Sequence, residues 1–145
     1  MITGFNHTSF TVADVELAVR FWTESLGFRL ASLGERVGDW QGRATGVAGA
    51  RLKVAHLFGY GHHMEFIQYL EAAAGGADLA PNANGAAHVC LEVRDIDATQ
   101  RRLFAAGASP QGEIVEVAGG AMGGCKAGYI RDPNGIVIEL VELRP

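Results

Sequence analysis

The chain repeats itself, and this constrains its fold more than any other feature. Residues 7–27 open as His7-Thr-Ser-Phe-Thr-Val-Ala-Asp-Val15 and close on Leu26-Gly27. Residues 88–107 open as His88-Val-Cys-Leu-Glu-Val-Arg-Asp-Ile96 and close on Ala106-Gly107. Both begin with His, reach Val five residues later (Val12, Val93) and Asp seven residues later (Asp14, Asp95). The remainder has diverged. One supersecondary unit is therefore used twice, giving a single domain of two modules, about 1–71 and 86–145. The loop near 72–85 joins them, and its Gly, Pro and Asn residues suit a connector.

Each copy carries the same order of elements. The first reads as a strand near 5–12, a helix near 15–26 and strands near 28–34, 50–58 and 63–70. Val15, Val19, Trp22 and Leu26 stand at helical spacing. The second reads as strands near 86–93, 112–117, 125–131 and 136–143, with a helix near 96–106. Asp14 and Asp95 occupy N-cap positions, and Gly27 and Gly107 occupy C-terminal stops. Asp132-Pro133-Asn134-Gly135 separates two apolar runs and predicts a hairpin. The fold class is α+β, built from paired βαβββ modules. The 20 glycines fit many tight turns between short strands.

Composition removes several classes of function. A chain of 145 residues is long enough to bury a core. Its net charge is -4 and it has no Lys/Arg cluster, which argues against a nucleic-acid partner. No apolar run approaches the roughly 18 residues of a membrane span, so no membrane partner is expected. MITGFNHTSF lacks the basic and apolar regions of a signal peptide, which makes the cytoplasm the expected compartment. There Cys90 and Cys125 are expected to be reduced thiols.

Strand alternation locates the chemistry. His7, Ser9 and Thr11 share one face of the first strand, opposite Thr8, Phe10 and Val12. His88, Cys90 and Glu92 share a face opposite Val89, Leu91 and Val93. Both histidines thus open polar faces, as a cleft lining requires. Glu65 lies in Met64-Glu-Phe-Ile67, and Glu139 lies in Ile136-Val-Ile-Glu-Leu-Val141. A carboxylate inside such a run costs several kcal/mol unless a cation accompanies it. The cation is either a Lys/Arg partner, with Arg20, Arg51 and Lys53 as candidates, or a metal; an edge strand that leaves the Glu exposed is the third reading. One His and one Glu per module make an N2O2 set. That set suits one divalent ion (Zn, Ni, Co, Mn or Fe) with positions left open for water or substrate.

The same residues carry a family resemblance. His7 to Asp14, Phe21-Trp-Thr-Glu-Ser-Leu-Gly-Phe28, Met64 to Ile67, His88 to Asp95 and Tyr129-Ile-Arg-Asp-Pro-Asn-Gly-Ile-Val-Ile-Glu-Leu140 resemble the vicinal oxygen chelate superfamily. This is the group of glyoxalases, bleomycin-resistance proteins and extradiol dioxygenases. The resemblance covers essentially the whole chain. It implies paired βαβββ modules forming a curved open sheet around one metal, held by His7, Glu65, His88 and Glu139. A small-molecule substrate and a homodimer are the partners it suggests.

Four branches of the family compare differently. The ligand set matches glyoxalase I, but the positions that hold glutathione there are Thr11 and Tyr69 here, not Arg and Asn. Methylmalonyl-CoA epimerase commonly has Gln where Glu65 stands, and a Glu in the long segment before the third strand. Residues 37–50 carry Asp39 and no Glu. Extradiol dioxygenases use a set like His7, His88 and Glu139 on iron and are usually longer. Binding proteins of the bleomycin-resistance type carry no metal. The first two branches share proton abstraction next to a carbonyl, through a metal-bound enediolate. The resemblance therefore implies a metal-dependent isomerase, epimerase or lyase of a small oxygen-rich substrate, with Glu139 as catalytic base. A dioxygenase and a non-enzymatic binding protein are the alternatives.

Other residues receive local readings. His62 and His63 stand at the start of the Glu65 strand; His63 shares the face of Glu65, with an exposed loop pair as the expected reading, and His56 is expected to be structural. Trp40 and Tyr129 suit either a cleft lining or the core. Lys126 suits an anionic substrate group or plain solvation, and Gly119 to Gly124 suits a mobile lid or a flexible loop.

Overall fold

The computed structural model describes residues 1–71, 79–119 and 124–144. The chain divides into two compact units, Met1–Gly76 and Ala77–Pro145. Each contains an open, curved sheet with few helices, so the α+β expectation holds.

In the first unit, β1 (Thr8–Thr11) leads into α1 (Val15–Arg20). Asp14 caps this helix by accepting from the Leu17 backbone N–H. The helix does not run to residue 26 as α-helix. It opens into a π-helical turn, Phe21–Ser25. Thr23 Oγ1 in that turn donates to the Val19 carbonyl at 2.8 Å. Gly27 follows at φ +77°, which a side chain would resist. β2 (Arg29–Glu35) comes next, then a short helix, α2 (Trp40–Thr45), inside the long segment before the third strand, where no element was assigned from sequence. β3 (Leu52–Gly59) and β4 (His62–Tyr69) complete the unit. The strand order is β1-β4-β3-β2, with β1 parallel to β4 and the other pairs antiparallel.

The β3–β4 connection corrects one expectation. His62 and His63 are strand residues, because a two-residue turn at Tyr60 (φ +53°) and Gly61 (φ +78°) lets both strands run to the tip. Tyr60 tolerates its left-handed backbone because its side chain is anchored. Its hydroxyl donates to the Leu26 carbonyl at 2.8 Å, and its ring meets Phe28 edge-on. The core of this unit lies between α1 and the sheet. Trp22 is fully buried against Phe28 and Phe66, with Val15, Ala18 and Leu57 around it.

The second unit contains β5 (His88–Glu92), α3 (Ile96–Ala105), β6 (Ser109–Pro110), β7 (Val115–Val117), β8 (Cys125–Arg131) and β9 (Val137–Leu143). The path is β5-β9-β8-β6, with β7 also on β8 and β5 parallel to β9. The single strand expected near 112–117 is two short strands. Asp95 caps α3 by accepting from the Ala98 N–H. Ile96, Leu103, Ile130, Ile138 and Leu140 form the core and are fully buried. The predicted β8–β9 hairpin is present. Asp132 accepts from the N–H groups of Asn134 and Ile136, and Gly135 takes φ +87°. Residues 120–123 of the expected lid, and 72–78 of the expected connector, lie outside the described residues.

Candidate metal centre

Strand pairing brings one His to one Glu in each unit. In the first, Ser9 is in register with Glu65 across the parallel β1–β4 pair. His7, two residues before Ser9, lies on the same face, and its Nε2 stands 3.4 Å from Glu65 Oε1. In the second, Cys90 is in register with Glu139 across β5–β9. His88, again two residues earlier, places Nε2 3.2 Å from Glu139 Oε2. His7 itself sits just before β1. The faces read from alternation hold: Ser9, Cys90 and Glu92 are exposed, and Val12 is buried on the opposite side.

Two of the three cations that might have neutralised the carboxylates as ordinary salt bridges are engaged elsewhere. Arg51 pairs with Glu35 and Glu71, and Lys53 pairs with Glu16. Glu65 and Glu139 are 15% and 21% exposed, so they are not edge residues in free solvent either. Their ion-pair partners among the described residues are histidines.

The donor chemistry fits a divalent ion. His7 Nδ1 is 2.7 Å from Asn6 Oδ1, an acceptor, so Nδ1 carries the hydrogen. In its neutral form His7 then presents the Nε2 lone pair toward Glu65, so that two acceptors face each other. A cation satisfies both, and a hydrogen bond from the other ring nitrogen is the usual way a ligating histidine is oriented. Ligands at about 2.0–2.2 Å from one ion and roughly 90–110° apart stand about 2.8–3.6 Å from each other. Both His–Glu spacings fall in that range. Among the described residues, no three His, Cys, Asp or Glu side chains gather into a metal-holding group. Each unit supplies a pair.

Sequence reasoning put Cys90 on the His88 face and offered Tyr129 as a cleft residue, but it read His56 as structural and tied none of the three to a glutamate. Glu65 is flanked on β3 by His56, its register partner, whose Nε2 is 3.7 Å from Glu65 Oε2. His56 also meets Arg36 Nη2 at 2.7 Å and His63 Nε2 at 3.0 Å. Partial burial holds the His56 pKa below its usual value; Glu65 opposes this, and Arg36 adds to it. Glu139 is flanked by Cys90 on β5 and Tyr129 on β8, and both donate hydrogen bonds to it. Desolvation, then the Glu139 charge, pushes the Cys90 thiol up to about 11 and raises the Tyr129 hydroxyl as well. The missed signal is register. A residue facing a site glutamate from an adjacent strand is invisible until the pairing is known.

The remaining expectations sort simply. Tyr129 is at the Glu139 pair, not in the core. Trp40 is exposed, and its indole N–H donates to the Val37 carbonyl. Lys126 is paired with Asp97. Cys90 and Cys125 are free thiols. No helix of the described residues is long and apolar enough to cross a membrane.

The family model described as Glyoxalase/Bleomycin resistance protein/Dioxygenase superfamily matches residues 4–140. The chain belongs to this superfamily. It is 31% identical over 144 residues to a 2-epi-5-epi-valiolone epimerase of Actinomyces sp, spanning 95% of this chain and 78% of that protein. A glyoxalase family protein of Bacillus cereus superposes with a TM-score of 0.85 at 28% identity, covering all of this chain and 97% of that one. The fosfomycin resistance protein FosX of Mesorhizobium loti, at 17% identity, shares the fold with a TM-score of 0.56 over 97% of this chain and 91% of its own.

Proposed function

We propose that the chain is a divalent-metal-dependent epimerase that moves a proton on a carbon next to a carbonyl, in a small oxygen-rich substrate. The observation that carries this reading is the His–Glu pair found twice, at ligand spacing, on matching strands of both units. The epimerase relative, alike over nearly the whole chain, supports the reaction type.

His7, Glu65, His88 and Glu139 are the residues that would hold the ion, one ion per chain. When bound, such an ion acts as a Lewis acid that polarises the carbonyl and acidifies the neighbouring C–H. The protein's own groups do the rest. Glu139 accepts the proton from the α-carbon and returns one to the opposite face of a substrate that has turned, or another group does so. The Cys90 thiol and Tyr129 hydroxyl stay protonated at neutral pH and fix the Glu139 carboxylate in place. Asn6 sets the His7 tautomer.

The test is direct. Protein purified without chelator or nickel resin is assayed for metal, then incubated in deuterium oxide with 2-epi-5-epi-valiolone, the compound in the relative's name. The expected result is about one divalent ion per chain, metal loss in His88→Ala, and metal-dependent deuterium entry next to the ketone with appearance of a second epimer. Full metal content in both His88→Ala and Glu139→Ala would overturn the ligand assignment. No exchange in the metal-loaded protein, with this and related hydroxyketones, would overturn the epimerase reading.

A further inference from the structure

Two hydrogen bonds on the first unit's sheet have a fixed direction. A guanidinium can only donate. Arg36 Nη2 is 2.7 Å from His56 Nε2, so that nitrogen must be the acceptor and cannot carry hydrogen. His56 is then the neutral tautomer with its hydrogen on Nδ1. Nδ1 is 3.0 Å from His63 Nε2, so it donates there. His63 Nε2 is in turn an acceptor, and neutral His63 must hold its hydrogen on Nδ1. The competing reading puts a hydrogen on His56 Nε2 aimed at Glu65 Oε2. That contact is 3.7 Å, too long for a hydrogen bond, and it would set two donors against each other at 2.7 Å.

The chain of donors therefore ends at His63 Nδ1–H. The structure gives this N–H no acceptor among the described residues. The ring is held in place by stacking on Phe58, with centroids 4.3 Å apart and planes at 14°, and it borders the His7 ring at 5.3 Å. His63 and Glu65 are two residues apart on one face of β4, about 6–7 Å along the strand. That is the span of a few bonded atoms, so one small molecule reaches from one to the other.

We propose that His63 Nδ1–H is a preset hydrogen-bond donor for a hydroxyl or carbonyl oxygen of the substrate, locked in that tautomer by Arg36 acting through His56. His63 touches substrate in this proposal, and Arg36 and His56 are positioning residues. The identity of the ligand rests on the epimerase reading; the tautomer assignment does not.

Two measurements test it. Two-bond proton–nitrogen correlation spectra of ¹⁵N-labelled protein read each histidine's tautomer directly. His56 and His63 are expected as Nδ1–H forms, and Arg36→Met is expected to abolish that state in both. An Nε2–H form of His63 in the wild type overturns the proposal. The second measurement compares two variants with 2-epi-5-epi-valiolone. In His63→Asn an amide N–H replaces the Nδ1 donor, whereas in His63→Gln it replaces the Nε2 position. Loss of one neutral hydrogen bond corresponds to about 3- to 10-fold. KM is expected to rise by that much in His63→Gln and Arg36→Met and to stay near wild type in His63→Asn, with kcat changing less than KM. Equal KM values for the Asn and Gln variants overturn the substrate contact. A wild type with the expected tautomers but no turnover counts against the epimerase reading and supports the donor chain.

Discussion

Under the proposed function, replacing Glu139 by Gln separates ligation from proton transfer. The substitution keeps the shape and one oxygen, and it removes the charge and the ability to take a proton at neutral pH. Three costs can be assigned from the structure. First, Glu139 accepts from Cys90 and Tyr129 and faces His88 Nε2 at 3.2 Å. An amide NH₂ must point at one of these groups, two of which are donors. A donor left unpaired costs about 1–3 kcal/mol, and the hydroxyl can rotate to accept, so the low end applies, about 1 kcal/mol. For a chain of this size that is a fall in Tm of about 2–4 °C. Second, metal affinity falls, but three ligands and an amide oxygen remain. Third, loss of the general base costs about 10² to 10⁴ in rate, or about 2.7–5.4 kcal/mol of barrier. The assay is deuterium exchange at the substrate α-carbon, with metal added to saturation so that the second cost is removed. Glu139→Gln is expected to retain its fold and saturate with metal, and to exchange at least about 10²-fold more slowly. Glu65→Gln, measured alongside, is expected to lose less. The reverse ranking would move the base to the first unit. Exchange unaffected in both variants would refute the proton-transfer mechanism.

Two further outcomes follow from particular contacts. Cys90 is exposed, yet its thiol is pushed up to about 11 from 9.0, so at pH 8 its thiolate fraction is about 100-fold below that of an ordinary thiol. Iodoacetamide labelling at Cys90, followed by mass spectrometry, should therefore be slow at pH 8 and climb until pH 11; Glu139→Gln removes the carboxylate's share of the shift and should speed labelling at pH 8. In the β8–β9 turn, Asp132 is 3% exposed and accepts from the Asn134 and Ile136 N–H groups at 2.9 and 2.8 Å. Asp132→Ala leaves both donors without that acceptor and should destabilise the fold by about 2–4 kcal/mol in urea unfolding, whereas Asp132→Asn, which keeps one acceptor oxygen, should lose less.

The strands and caps were legible in the sequence because they depend on local chemistry. Asp14 and Asp95 cap helices because a short side-chain oxygen reaches a free N–H three residues on, whatever surrounds it. The Asp-Pro-Asn-Gly turn is local in the same way. The duplication placed His7 and His88 on comparable faces before any pairing was known. Illegible features were those that depend on partners distant in sequence. His63 was assigned to a loop because two adjacent histidines before a strand look polar. The Tyr60–Gly61 turn, stabilised by contacts to Leu26 and Phe28 more than thirty residues earlier, draws it into β4. The π-helical turn at Phe21–Ser25 is equally hidden, because its residues keep an apolar spacing that also fits an α-helix.

The two units share a strand pattern but give their glutamates different surroundings, and this difference bears on which carboxylate moves the proton. Glu65 faces His7 and His56, and behind His56 stands the Arg36 guanidinium. Glu139 faces one imidazole, a thiol and a phenol. The last two are neutral across the physiological range and orient the carboxylate as hydrogen-bond donors. The same two donors leave an acceptor-rich pocket once Glu139 is protonated, because a thiol and a hydroxyl can each turn to accept the new O–H. No equivalent adjustment is open to an arginine. A duplicated His–Glu pair thus becomes asymmetric through its flanking strands, and under the proposed function this makes Glu65 the fixed ligand and Glu139 the ligand that moves the proton. Transplanting the contrast tests the argument. Tyr129→Arg sets a guanidinium beside Glu139 and should slow α-proton exchange, by up to about tenfold for each tenfold loss of that carboxylate's basicity, with metal content retained. An exchange rate that survives this change, in protein that still binds its metal, would mean that flanking charge does not select the base.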